Sequence, residues 1–464
     1  MPHSLPDFPN LGTSQFIFSM PWKSCIKKFP TSEKVDTVCA MAKFIINGGN
    51  IIGGKFSPRG NKNAVLPMLA ACTLTDQPIR LCNVPDIADV RVMLDLLMSL
   101  GVSVEKSGGC VTLCAKGLIA TELDEEFCRK VRTSILLAGP LTARHGAALI
   151  HSPGGDVIGR RRLDTHFYGL RALGIEVNDT APYHFKRKKL AGADLVLDEA
   201  SVTATENILM AAVLAEGETS IFNAACEPHV QDLAHLLVKM GADIAGIGTN
   251  RLHVRGVKLL AGAEHTIQPD YIETGSFLTA AAVTGGALEI DAPGDAVTIN
   301  VLEKGFSKLG VKWTLKNGAL SQAAQKERQI VPDLGNFTPK IENGIWPAFP
   351  SDLMSVLIVL ATQTQGQMLF FEKLFESRMY FVDHLMAMGA NIIQCDPHRV
   401  VVSGRSQLHG ARLTSPDIRA GMAMLIAACC AEGLSTIDNA QMIDRGYEAI
   451  DERLRALGAD IERA

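Results

Sequence analysis

Leu97-Met98-Ser99-Leu100-Gly101 is the phrase that organises this chain. It has an apolar helix end, then a glycine, then a strand-like run at 102–105. The same phrase returns as Leu170-Arg171-Ala172-Leu173-Gly174, Leu237-Val238-Lys239-Met240-Gly241, Phe306-Ser307-Lys308-Leu309-Gly310, Leu385-Met386-Ala387-Met388-Gly389 and Leu454-Arg455-Ala456-Leu457-Gly458. Successive glycines are 73, 67, 69, 79 and 69 residues apart. A glycine at this point suits a helix C-cap in the left-handed conformation. A second phrase, an Ala-rich helix followed by a Gly turn and a strand, falls at 210–217, 278–286 and 424–433. Together they define six units of about 70 residues, longer than the roughly 20–50 of common solenoids. Each unit is two helices interleaved with short strands. Ala-rich helices are apolar nearly all round, so they belong inside, with sheets wrapped outside. Six units divide as three and three, giving an α/β chain of two similar domains with a cleft between them, where ligands bind by preference.

Composition agrees with a large globular core. The 464 residues are 47% hydrophobic and 20% charged, and the net charge is −4, so no basic surface argues for nucleic acid. The 11 cysteines are scattered, with Cys429 and Cys430 adjacent and no C-x-x-C pair. This is not a disulfide framework, and it is read as a reducing, cytoplasmic setting. The apolar runs at 353–361 and 422–431 are too short to span a bilayer and are expected to be buried core helices. Residues 1–40 show no clear period and contain Asp7, Glu33 and Asp36. They are expected to be a disordered or non-native extension before a start at Met41, or a short tail, and not an export signal.

Several stretches carry candidate chemistry. Gly49-Asn50-Ile51-Ile52-Gly53-Gly54-Lys55 imitates a P-loop, but Phe56 stands where the Mg²⁺-binding hydroxyl belongs, so it is read as a hairpin turn. Arg59-Gly60-Asn61-Lys62-Asn63-Ala64 sits at the entry to a helix at 65–72, where an ammonium joins free N–H groups that suit an anion. His151-Ser152-Pro153-Gly154-Gly155-Asp156-Val157-Ile158-Gly159-Arg160-Arg161-Arg162-Leu163-Asp164-Thr165-His166 places one acid and three arginines in a glycine-rich loop. Such a loop closes over a multiply charged ligand, or is an exposed loop with ordinary surface arginines; the residues alone do not separate the two. Trp346-Pro347-Ala348-Phe349-Pro350-Ser351-Asp352 puts a carboxylate between a rigid turn and a helix, as a general base or, with more local support, as the helix N-cap. Arg378, Arg419 and Arg445 follow Glu376, Asp417 and Asp444 at short range, which reads first as local salt bridges. No His/Cys/Asp grouping has metal-ligand spacing.

Taken together, these motifs resemble the UDP-N-acetylglucosamine enolpyruvyl transferase family of the EPSP synthase superfamily, which performs the first committed step of peptidoglycan biosynthesis. The resemblance runs from about residue 43 to the C-terminus. It is carried by Asn61-Lys62-Asn63-Ala64, Val131-Arg132-Thr133-Ser134, Gly154-Gly155-Asp156 through Arg161, Glu273-Thr274-Gly275, Pro350-Ser351-Asp352, Glu376-Ser377-Arg378 and Ile443-Asp444-Arg445-Gly446-Tyr447. It implies two inside-out α/β barrels, each of three βαβαββ-like units, with residues 62–268 in the first and 43–61 plus 269–464 in the second.

The implied reaction adds the sugar 3′-hydroxyl to C2 of phosphoenolpyruvate, protonates C3, and expels phosphate from a tetrahedral ketal. By resemblance Asp352 takes the hydroxyl proton, Asp156 stands where many members carry the Cys that acts as proton donor, and Lys62 is counted with them as catalytic. Lys62, Asn63, Arg132, Arg161, Arg378, Arg419 and Arg445 are expected at phosphoenolpyruvate. Asn63, Arg132, Arg161, Arg162, Leu163, Asp164, Thr165, Ser201, Val202, Thr205, Asp352 and Leu374 are expected at UDP-N-acetylglucosamine. No cofactor, nucleic acid or membrane partner is implied. Glu199, Tyr271 and His229 depart from the family's common pattern near the nucleotide. An epoxide such as fosfomycin alkylates the family's thiolate, so Asp156 implies insensitivity. The Gly-Gly-Asp loop followed by Arg162-Leu163-Asp164 favours the UDP-sugar branch over the sister 5-enolpyruvylshikimate 3-phosphate synthase, and the retained Lys62, Asp352 and arginines argue against a non-catalytic UDP-sugar-binding paralogue.

Overall fold

The computed structural model describes residues 42–155, 158–159 and 161–464. The expected extension at 1–42 lies almost wholly outside them. The described chain is α/β, in six small sheets that answer the six units. Five have four strands and one has three. All six repeat glycines adopt positive φ, from 72° at Gly310 to 106° at Gly458. At Gly174 a Cβ would also meet the Lys189 carbonyl oxygen at 1.9 Å, so close approach as well as backbone conformation demands glycine there.

Helices lie inside and sheets outside, which is the inside-out barrel. In one core the helices Tyr271–Thr284, Met354–Thr362 and Ile418–Cys430 pack on one another and are buried almost throughout. The helices Lys62–Ala71 and Val202–Ala212 play that part in the other. Sheet strands alternate instead: Arg251–Arg255 exposes, buries, exposes, buries and exposes its residues in turn. One apolar core draws on residues 64–267, the other on 44–56 and 271–461. The runs at 353–361 and 422–431 are buried core helices as expected.

Two expectations are corrected. The stretch Gly49 to Lys55 is no hairpin, because the strands on either side join different sheets. Phe44–Asn47 runs between Leu434–Asp438 and Asp460–Arg463, whereas Gly54–Phe56 pairs in parallel with Leu288–Asp291. Lys55 spends its charge on Glu289 at 2.9 Å. The chain also holds a disulfide. Antiparallel register sets Cys82 of Ile79–Cys82 opposite Cys110 of Cys110–Cys114, with Cα atoms 4.0 Å apart, and the two are bonded. A separation of 28 residues conceals this pairing in the sequence. The seven other described cysteines are free. No helix among the described residues is long and apolar enough to cross a membrane.

Candidate active site

The Asn61 side chain caps the helix Lys62–Ala71, its Oδ1 accepting the N–H groups of Asn63 at 2.8 Å and Ala64 at 3.2 Å. The helix therefore starts three residues earlier than expected, with Lys62 in its first position. Lys62 is buried, and its Nζ lies 2.8 Å from Asp89 Oδ2. Arg445 approaches the same carboxylate from the other core, Nε to Oδ1 at 2.9 Å. Burial pulls the Lys62 ammonium below the usual lysine range, and Asp89 only partly restores it. Burial pushes Asp89 upward, yet Lys62 and Arg445 outweigh it and hold the carboxyl below its ordinary value.

A second carboxylate sits between two cations. Asp352 Oδ1 accepts from Arg378 Nη2 at 3.0 Å, and Oδ2 accepts from Arg419 Nη2 at 2.8 Å. Both arginine side chains are deeply buried, at 3% and 6% exposure. Burial alone would raise Asp352; Arg419 and Arg378 reverse that and hold it well below the carboxylate range. The N-cap reading of Asp352 is thereby excluded. It lies in the 3-10 turn Ser351–Leu353 and makes no cap, and Leu353 precedes the helix. The local salt-bridge reading of the arginines fails too. Arg378 and Arg419 go to Asp352, Asp417 caps the Arg419 helix through the N–H groups of Arg419 and Ala420, and Asp444 pairs with Arg463 at 2.7 Å.

Both clusters open on one cavity of about 280 Å³, lined from both cores. Asn63, Arg132, Arg161, Val202 and Leu374 line it with them. Arg132 donates to the Arg161 carbonyl, and burial, with Arg161 beside it, pushes its guanidinium down to about 10. Gly155 and Ile158 of the glycine-rich loop also face the cavity. The loop reaches the far side, where the Ile158 carbonyl accepts the Ser377 N–H at 3.3 Å.

The model of the EPSP synthase (3-phosphoshikimate 1-carboxyvinyltransferase) family matches residues 46–454. The UDP-N-acetylglucosamine 1-carboxyvinyltransferase of Bradyrhizobium diazoefficiens is 52% identical over 425 residues, covering 91% of this chain and 98% of that one. That of Treponema pallidum is 52% identical over 422 residues, covering 91% and 99%. This chain belongs to the UDP-N-acetylglucosamine 1-carboxyvinyltransferase family. Among solved structures, the enolpyruvyl transferase NikO of Streptomyces tendae superposes with a TM-score of 0.82 at 23% identity, covering 92% of this chain and 99% of that one. The EPSP synthase of Acinetobacter baumannii gives 0.70 at 20%, covering 92% and 100%. These two support the fold.

Not every residue expected from the carboxyvinyltransferase resemblance reaches the cavity. Arg162 pairs with Asp164 on the surface. Leu163 is buried at the start of the helix Asp164–Ala172, and Thr165 donates to Asp198 at 2.7 Å. Ser201 precedes the helix Val202–Ala212. Thr205 is fully buried, with its hydroxyl accepting the Ala225 N–H at 3.0 Å. Asp156 lies outside the described residues. Among the described residues no group of three His, Cys, Asp or Glu is able to hold a metal. Conversely, Asp89 was not singled out by its sequence, where it reads as an ordinary first-turn helix acid. Glu206 and Glu227 also line the cavity unannounced.

His166 is fixed behind that wall. Asn207 Nδ2 donates to its Nδ1 at 3.1 Å, so its Nε2 carries the proton towards Thr203 Oγ1 at 3.1 Å. Burial, with Arg132 nearby, holds its pKa down to about 3. The unfolded chain therefore takes up this proton first as pH falls, and stability is lost below about pH 6.5. From pH 7 to 5 this one group should remove about 2 kcal/mol. Urea unfolding at both pH values should show a loss smaller by that amount in His166→Gln; equal losses would contradict the assignment.

Proposed function

We propose that the chain transfers the enolpyruvyl group of phosphoenolpyruvate to the 3′-hydroxyl of UDP-N-acetylglucosamine and releases phosphate, the first committed step of peptidoglycan synthesis. One observation carries this: two separate cation pairs, Lys62 with Arg445 and Arg378 with Arg419, face one cavity. Phosphoenolpyruvate has two anionic ends, and each pair suits one of them. Internal carboxylates, Asp89 and Asp352, hold the cations in place beforehand. The two cores, 62–268 and 43–61 with 269–464, act as lobes that meet on the substrates. Arg132, Arg161, Asn63, Val202 and Leu374 serve the sugar nucleotide from the cavity wall, and Arg162, Leu163, Asp164, Thr165, Ser201 and Thr205 from the structure behind and beside it.

In the first step the 3′-oxygen bonds to C2, Asp352 takes the hydroxyl proton, and Asp156 delivers a proton to C3. The ketal then gives a C3 proton back to the Asp156 carboxylate as the C2–O bond to phosphate breaks. The phosphate leaves with the proton held by Asp352, which yields the enol ether and restores both acids. Asp352 is ionised and ready to accept, though a weak base while two arginines hold it. The substrate carboxylate draws on the same arginines and adds negative charge beside Asp352, which raises its proton affinity. Asp156 needs the opposite condition, since a free aspartate with a pKa of about 3.9 is protonated only about once in a thousand at pH 7. A bound anion in the closed loop supplies the upward push. Mass spectrometry of a mixture of enzyme, phosphoenolpyruvate and UDP-N-acetylglucosamine should show the enolpyruvyl ether; an unchanged sugar nucleotide would refute the transfer.

With Asp156 in the thiol's place, fosfomycin should leave activity intact and form no adduct. Asp156→Cys should gain time-dependent inactivation and a covalent adduct. Labelling of the unaltered enzyme would overturn this.

A further inference from the structure

One wall of the cavity carries groups that this transfer leaves unused. Glu206, on the helix Val202–Ala212, is 1% exposed, and its Oε1 has no hydrogen-bond partner. Glu227, just before the helix Pro228–Lys239, lines the same cavity, and its Oε2 is likewise buried without a partner. No ion pair to either acid occurs among the described residues. Burial drives the Glu206 carboxyl far above its ordinary range, and Glu227 adds to this. Burial raises Glu227 as well, while the backbone N–H groups of Glu227, Trp346 and Cys226 pull it partly back. Burial and the neighbouring Glu227 favour the protonated form of Glu206, which has one O–H to donate and one oxygen to accept. A phosphate or carboxylate does not match that pair. A secondary amide does, because its C=O accepts and its N–H donates.

The position narrows the choice further. Tyr271, which lines the cavity, lies close enough to feel the charge of both Asp352 and Glu227, and Glu227 in turn acts on Glu206, which puts the pair on the Asp352 side. On the proposed function, on which this inference rests, Asp352 faces the sugar's 3-hydroxyl. The ring substituent next to that hydroxyl is the 2-acetamido group. We propose that Glu206, backed by Glu227, is the specificity-determining residue that hydrogen-bonds the 2-acetamido group of the acceptor sugar.

The test is calorimetric binding of UDP-N-acetylglucosamine and of UDP-glucose, which lacks the amide, to the full chain and its variants. Wild type should prefer the acetamido sugar. Glu206→Val should weaken it about tenfold, the factor that about 1.4 kcal/mol sets, and leave UDP-glucose within about twofold. Glu206→Gln, still a donor and an acceptor, should keep the preference. Equal binding of both sugars by wild type, an unchanged preference in Glu206→Val, or equal weakening of both ligands would overturn the proposal. Should Glu206→Val fail to fold, Glu206→Asp, one methylene shorter, is read by the same criteria. Phosphate release measured in parallel separates the two claims: sugar discrimination without turnover refutes the transfer and leaves the recognition standing.

Discussion

Replacing Asp352 by asparagine is expected to lower kcat by about 10²–10⁴-fold, the usual contribution of a positioned general base. The amide keeps the side chain's shape, so the cavity wall survives. On the proposed mechanism the variant no longer accepts the 3′-hydroxyl proton. The substitution also leaves Arg378 and Arg419 without the carboxylate they share at 3.0 and 2.8 Å. Those arginines are then free for an incoming carboxylate, so KM for phosphoenolpyruvate should hold steady or fall while kcat collapses. That split is the diagnostic, because a residue that merely anchors arginines would move KM and spare kcat. A kcat within about threefold of wild type, with KM raised, would remove Asp352 from the chemistry.

Asp89→Asn is expected to destabilise the fold by about 3–5 kcal/mol, the cost of breaking a buried ion pair on one side. Lys62, with a side chain only 9% exposed, loses the carboxylate 2.8 Å from its ammonium. Two consequences carry a definite sign. Asp89 has a depressed pKa in the folded chain, so its contribution is complete above its unfolded value of about 3.9 and disappears as pH falls through the folded one. The stability gap between wild type and variant should therefore be full at neutral pH and close in acid. Lys62, already pulled down by burial, falls further without Asp89, so the alkaline loss of kcat/KM for phosphoenolpyruvate should move to lower pH. Urea unfolding across pH and a pH–rate profile measure these. An unchanged alkaline limb would mean that the Lys62 charge is not used.

The repeat was legible because it depends on local rules. Helix ends followed by Gly101, Gly174, Gly241, Gly310, Gly389 and Gly458 announce left-handed caps, and all six take them. The inward helices were legible from composition, since an Ala-rich helix without a polar face has no other place to go. What stayed hidden depends on distant pairing. Nothing near Cys82 indicates that strand register brings Cys110 opposite it. Arg378, Arg419 and Arg445 each have an acid close in sequence, yet Asp352 and Asp89 claim them across the fold. Asp352 looked like a cap for the same reason. Its neighbours in sequence are those of a helix entry, and its partners are 26 and 67 residues away. Thr205 shows the converse: the resemblance places it at the sugar nucleotide, while its hydroxyl is taken up inside the first core.

Phosphate release from phosphoenolpyruvate, measured with purified full-length chain and either UDP-N-acetylglucosamine or shikimate 3-phosphate as acceptor, tests the central claim most directly. Release with the sugar nucleotide and none with the shikimate ester is the expected result. Release with the shikimate ester, or with neither acceptor, would contradict it.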